Sequence, residues 1–137
     1  PEGALLLRPP VLALGAGCRK DADPQAVEGG VFAALRAAGL SPLSVFALAT
    51  VDAKKDEPAL ARLAGSLGVP LRTYPAERLR EAEVPNPSAR VFEAVGTPSV
   101  CEAAALAASG GGRLVLPKVS GEIWTLAAAL AEPEETA

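Results

Sequence analysis

The sequence predicts an α/β domain: a three-layer α/β/α sandwich around a mostly parallel, mixed sheet that ends in an antiparallel hairpin. Three observations carry this. Short apolar runs alternate with stretches that repeat apolar residues at helical spacing. A proline near the start of each long helix follows an Asp, Glu or Thr, and glycines punctuate the helix ends. Two strand-like runs close the chain around Ser120-Gly121, the form of a hairpin. A chain of 137 residues is one domain of this class, with an ordered core over about 10–131 and no internal repeat.

The other elements are arranged around the first one. An apolar run over 11–14 reads as a buried strand ending in a tight turn, Gly15-Ala16-Gly17. Cys18, Arg19 and Lys20 follow, then a helix start at Asp23-Pro24. Backbone N–H groups in such a turn, with a helix N-terminus behind them, form a site for an anion. Gly15 and Gly17 admit close approach of a ligand to the backbone, and Arg19 and Lys20 add positive charge. The same glycines also serve an ordinary α/β turn, and spacing alone leaves both readings open. Gly-x-Gly without a third glycine is a weak dinucleotide signal, and no acidic residue ends a second strand as nucleotide binding requires.

The spacing predicts a helix over 24–38, with Asp23 as N-cap, Pro24 at the first position and Gly39 as the stop. Val27, Val31, Leu35 and Ala38 form its buried stripe. Gly29 and Gly30 cost about 1 kcal/mol each against alanine and allow close packing. The run over 43–49 reads as a strand buried on both faces. The polar cluster after it, 50–57, falls where open α/β sheets place ligands. Asp56 with Pro58 opens a second helix, whose stripe is Leu60, Leu63, Ala64 and Leu67 and whose stop is Gly68. A third strand is expected over 69–74 and a short charged helix over 76–82. An ordered loop at Val84-Pro85-Asn86-Pro87-Ser88 and a helical turn over 89–95 follow. Thr97 and Pro98, or Ser99 with Glu102, open a last helix to about 109, with a small-residue face at Val100, Ala103, Ala104 and Ala107. After three glycines come strands over 113–119 and 122–129, the second with a helical alternative from Leu126. The terminal EPEETA reads as disordered.

Composition narrows the function. The net charge is −3, with Lys and Arg scattered among acids, which argues against a nucleic-acid partner. No apolar run is long enough for a membrane helix, and PEGALLLRPP is too short and proline-rich for a secretory signal. Cys18 and Cys101 lie far apart with no Cys-x-x-Cys, which fits a reducing cytoplasm. There is no histidine. Ser-His-Asp and Cys-His triads, imidazole metal ligation and a metal site of two distant cysteines all drop out, and no cofactor signature stands in their place. General acid–base work falls to Asp, Glu, Lys or Tyr74.

Each candidate has a plain structural reading beside the functional one. Cys18 is a nucleophile if a helix N-terminus and Arg19 lower its pKa, or a small buried thiol. Asp52 orients a water or acts as a base, or it caps a turn and pairs with a lysine. Lys54 contacts a ligand, or with Lys55 is solvated surface. Thr97 and Ser99 are helix caps that can also touch a ligand. Asn86 fixes its own loop, and Trp124 and Phe92 read as core or interface.

Four stretches in order resemble one family. They are Gly15-Ala16-Gly17-Cys18-Arg19-Lys20, then Ala49-Thr50-Val51-Asp52-Ala53-Lys54-Lys55-Asp56-Glu57, then Val84-Pro85-Asn86-Pro87-Ser88, and Val95-Gly96-Thr97-Pro98-Ser99-Val100-Cys101-Glu102-Ala103-Ala104-Ala105-Leu106. The chain is similar over about 11–130 to the CobE protein of cobalamin biosynthesis and to the C-terminal domain of CbiG, the cobalt-precorrin-5A hydrolase. Two positions depart from the family pattern. Asp21 follows Lys20 where the family carries a glycine soon after, and Val119 and Ser120 follow Lys118 where it tends to show a second basic residue.

The resemblance implies a role in making the corrin ring of vitamin B12. The longer relative opens a lactone on ring A of cobalt-precorrin-5A and releases acetaldehyde. This chain looks like its C-terminal domain standing alone, so hydrolysis is not simply carried over. Precorrins bear many acetate and propionate carboxylates, and three junctions here offer N–H groups, hydroxyls or cations to them. The expected substrate-binding set is Gly15, Gly17, Cys18, Arg19, Thr50, Asp52, Lys54, Gly96, Thr97, Ser99 and Lys118. The expected role is a cytoplasmic accessory or carrier that binds a precorrin or corrinoid intermediate. One alternative is a small hydrolase or isomerase acting on a precorrin lactone, with Asp52 and Lys54 as acid–base pair. Another is a protein-interaction partner of a different cobalamin-pathway enzyme.

Overall fold

The computed structural model describes residues 11–80 and 100–131. Its first strand, β1 (Leu12–Cys18), corrects the expected glycine turn, because Gly15, Ala16 and Gly17 lie inside the strand. The reason is pairing on both sides. Gly15 sits opposite Ala49 on one neighbour and Ala127 on the other, and Gly17 opposite Thr125. A central strand with two ladders outweighs the low strand preference of glycine, which here marks a close backbone approach.

Helix α1 (Pro24–Ala37) begins as expected, with the Asp23 carboxylate accepting from the Gln25 N–H and Pro24 in the first turn. Gly39 follows its end in the left-handed conformation, φ 75°. A 3₁₀ turn, Pro42–Ser44, takes the start of the expected second strand, because the Ser41 hydroxyl caps Leu43 N–H. Strand β2 therefore runs Val45–Val51. A second 3₁₀ turn, Asp52–Lys54, leads to α2 (Pro58–Leu67). The N-cap position is Glu57 rather than Asp56, and its carboxylate makes no capping bond to the helix. Strand β3 (Leu71–Tyr74), helix α3 (Ala76–Arg80), helix α4 (Val100–Ala108), β4 (Arg113–Ser120) and β5 (Trp124–Leu130) complete the domain. The helical alternative from Leu126 fails, because Leu126–Ala129 pair with β1 and are buried. The expected loop and turn over 84–95, Phe92, the cap at Thr97 and the terminal tail lie outside the described residues.

The five-stranded sheet has the order β3-β2-β1-β5-β4. β1, β2 and β3 run parallel, β5 runs antiparallel to β1, and β4 antiparallel to β5. Four strands thus share one direction and β5 alone is reversed. Strand alternation sends Leu12, Leu14, Leu126 and Ala128 to one face, where they meet Val27, Val31 and Leu35 of α1 and Leu60 and Leu63 of α2. Ala13, Ala49, Ala127 and Ala129 point to the other face, against Cys101, Ala103, Ala104 and Ala105 of α4. Each fully buried leucine or valine contributes roughly 1.5–3 kcal/mol, so the first face supplies most of the hydrophobic stabilisation.

Two glycines permit that packing. A Cβ on Gly15 would overlap the Cys101 carbonyl and crowd the Ala105 nitrogen, so only glycine lets the α4 backbone rest on β1. A Cβ on Gly30 would overlap the Trp124 indole, which bears out the close-packing reading of that residue. β4 bulges around Pro117, which has no N–H to give. The freed N–H of Lys118 donates instead to Glu102 Oε2 at 2.9 Å. Among the described residues no helix is long and apolar enough to cross a membrane.

Candidate functional site

Because β5 is reversed, the β4–β5 turn returns to the edge where β1 and β2 end. β1 ends at Cys18 opposite Trp124, and β2 ends at Val51. A cavity of about 400 Å³ opens at this edge. Gly17, Cys18 and Arg19 line it from β1, and Thr50, Val51 and Lys54 from the end of β2. Val100 of α4 lines it too, and the turn and start of β5 close it with Ser120, Gly121, Glu122, Ile123, Trp124 and Thr125. The size falls within the roughly 300–1,000 Å³ of small-molecule sites.

The structure brings together five of the sequence-predicted residues: Gly17, Cys18, Arg19, Thr50 and Lys54. Arg19 is fixed through its backbone, whose N–H donates to the Ile123 carbonyl at 3.0 Å, while its side chain is exposed. Thr50 is 1% exposed, and among the described residues its hydroxyl has no hydrogen-bond partner. The other predicted residues are not in the lining. Gly15 is buried under α4. Asp52 is exposed on the 3₁₀ turn. Lys118 is exposed on β4. Gly96, Thr97 and Ser99 lie outside the described residues, immediately before Val100.

Glu57 organises the wall between β1 and α2. Its Oε1 accepts from the Asp21 N–H at 3.2 Å and lies 4.0 Å from the Cys18 sulfur. Its Oε2 lies 3.9 Å from Lys54 Nζ. Burial pushes the Cys18 thiol above its ordinary value, the Glu57 charge raises it further and Lys54 opposes them. The condition of the nucleophile reading, a helix N-terminus that lowers the thiol, is not met. The strand continues through Cys18, so the thiol sits beside a carboxylate and not at a helix start. Among the described residues no group of three or more acidic, histidine or cysteine side chains could hold a metal.

Sequence reasoning missed Glu57 as an organiser and missed the β4–β5 turn as a wall. The turn itself was expected at Ser120-Gly121. Its location at the site depends on β5 pairing with β1, a contact between residues more than a hundred positions apart that local pattern does not encode.

A profile described as "Cobalamin synthesis G C-terminus" matches residues 12–129. The chain belongs to that family. It is a protein of cobalamin biosynthesis, and the residues that line the cavity lie within the matched range. It is 34% identical over 129 residues to a cobalt-precorrin-5A hydrolase of Priestia megaterium, covering 94% of this chain and 34% of that protein. It is 37% identical over 102 residues to Protein CobE of Sinorhizobium sp, covering 72% of this chain and 66% of that one. The chain thus spans about a third of the length of the hydrolase it matches. Among solved structures, CobE from the cobalamin (vitamin B12) pathway superposes with a TM-score of 0.73 at 34% identity, covering 87% of this chain and 92% of CobE. The cobalamin biosynthesis protein ChiG of Agrobacterium tumefaciens str. C58 gives 0.68 at 37% identity, covering 90% of this chain and all of that one (100%). In this member of the family Asp21, the departure from the glycine pattern, adopts the left-handed conformation at φ 59°.

Proposed function

We propose that this cobalamin synthesis G C-terminal domain binds a precorrin-type tetrapyrrole intermediate at the cavity edge, as a cytoplasmic accessory or carrier. One observation carries the reading: a mostly apolar cavity with two cations, Arg19 and Lys54, in its lining. An apolar wall suits one edge of a macrocycle, and the cations suit its carboxylate arms. The Thr50 hydroxyl, which has no partner among the described residues, adds support. A buried hydroxyl without a partner costs roughly 1–3 kcal/mol, and a polar ligand atom removes that cost. Gly96, Thr97 and Ser99 lie outside the described residues, and Asp52 and Lys118 are given no part in the proposal.

Binding is favoured over lactone hydrolysis by the same geometry. Of the two acid–base candidates, Lys54 lines the cavity and Asp52 does not. Burial and the Glu57 charge push the Cys18 thiol up, away from the reactive thiolate.

Titration of the purified protein with corrin intermediates of known stage, followed by visible absorption and calorimetry, tests this. Saturable one-to-one binding with a spectral shift is expected. Arg19→Ala and Lys54→Ala should each weaken it by about 1–3 kcal/mol, the range for charged hydrogen bonds. A slow further spectral change would mark turnover and favour the hydrolase reading. Absence of binding by any intermediate would instead support a role as partner of another pathway enzyme, to be sought by pull-down.

A further inference from the structure

Lys54 already has a carboxylate partner within the protein, and it is held loosely. The Lys54 Nζ to Glu57 Oε2 distance is 3.9 Å, well beyond the roughly 2.7–2.9 Å of a charge-assisted hydrogen bond. Lys54 lines the cavity and its side chain is 30% exposed, whereas Glu57 is 12% exposed and stands behind the wall. Glu57 is held there independently of Lys54, since its other oxygen accepts from the Asp21 N–H. The lysine is therefore the mobile member of the pair, a flexible stem with three donors, and the carboxylate is the anchored one.

We propose that Glu57 is a resident competitor for Lys54, so that a ligand enters by exchanging one of its own carboxylates for that of Glu57. The inference rests on the tetrapyrrole reading of the site and says how the site is entered. A ligand carboxylate at hydrogen-bonding distance outcompetes a partner at 3.9 Å. A neutral carboxamide arm does not, because it would have to draw the lysine away from a full negative charge.

The test uses uroporphyrin, a stable tetrapyrrole with acetate and propionate arms, and the same macrocycle with its acids converted to primary amides. Both are titrated into wild type, Glu57→Gln, Lys54→Ala and the double variant. Glutamine keeps an oxygen to accept the Asp21 N–H but removes the charge that competes for Lys54. Glu57→Gln is expected to bind the acid form about two- to five-fold more tightly, the range set by losing one partly exposed ion pair. The preference of wild type for acid over amide should exceed tenfold, and the Glu57→Gln gain should vanish in the Lys54→Ala background. A purely structural Glu57 would give unchanged or weaker binding, the opposite sign. Wild-type binding of uroporphyrin with no gain in Glu57→Gln overturns this inference and leaves the tetrapyrrole reading standing. No saturable binding of either macrocycle by any variant overturns both.

Discussion

The two faces of the sheet are packed by different means. Toward α1 and α2 the strands present Leu12, Leu14, Leu48 and Leu126, met by Val27, Val31, Leu35, Leu60 and Leu63. Toward α4 they present Ala13, Ala49, Ala127, Ala129 and the bare backbone of Gly15, met by Cys101 and a run of alanines. The first face is held by interdigitating side chains and the second by close approach of backbones. A side-chain interface fails when volume is removed, and a backbone interface fails when volume is added. The cavity opens where the two meet, between Val51 at the end of β2, Val100 of α4 and the Trp124 indole packed against Gly30.

The sharpest break in this contrast is Gly15→Val. Its Cβ cannot coexist with the Cys101 carbonyl, and the obstacle is helix backbone, which has no rotamer to change. Undocking α4 should remove the cooperative urea transition or lower stability by more than about 3 kcal/mol, the upper end of overpacking costs. A loss under about 1 kcal/mol would show that α4 rides freely on the sheet. Next comes a matched pair. Leu48→Ala on the side-chain face should cost about 2–5 kcal/mol through the cavity it leaves. Ala104→Leu on the backbone face should cost about 1–3 kcal/mol by overpacking. If Ala104→Leu stabilised the protein instead, α4 would be underpacked and the contrast would be lost.

Much of this was legible in the sequence. Asp23-Pro24, Pro58, Gly39 and Gly68 mark helix boundaries by local chemistry, although the cap before Pro58 is Glu57 and not the expected Asp56. All five strands were expected, β1 and β2 from apolar runs, although β3 (LRTY) and β4 (RLVLPKVS) carry polar and charged residues. The glycines of β1 misled, and Gly15 carries the same letter whether a turn needs its freedom or a helix needs its missing side chain. Only the placement of Cys101, far along the chain, decides between these. The site was half legible for a related reason. Arg19 and Lys54 follow strands, Thr50 stands at the end of one, and all three are found by the rule for open α/β sheets. The turn around Glu122 and the organising Glu57 are found only through the reversed β5 and the contact of Glu57 with Asp21.

A smaller effect probes the seam through pH. Burial and Glu57 raise the Cys18 thiol above its ordinary value of 9.0. The unfolded thiol then ionises before the folded one, so the unfolded state holds fewer protons. The contribution of Cys18 is fully present below pH 9.0 and is lost as pH rises from there through the folded pKa. Urea unfolding of wild type and Cys18→Ser across pH 8 to about 10.5 should show wild type losing stability relative to the variant in alkali. Parallel curves would mean that the thiol is as solvated in the fold as in the unfolded chain. Alkylation should agree, since Glu57→Gln removes a cause of the upward shift and should move the reaction midpoint to lower pH.

The smallest expected effect is at Asp21. Its φ of 59° is a conformation that costs an ordinary residue about 1–2 kcal/mol and an aspartate somewhat less. The hydrogen bond that holds the turn runs from its backbone N–H to Glu57, so the side chain is dispensable to it. Asp21→Gly relieves the left-handed strain but adds freedom to the unfolded chain, roughly 0.5–1 kcal/mol in the opposite sense. The balance should raise stability by no more than about 1 kcal/mol, read as a shift in urea midpoint at constant slope. A loss of more than that would mean the Asp21 carboxylate itself ties the β1–α1 loop. The wall of the cavity would then rest on two acids, Asp21 and Glu57.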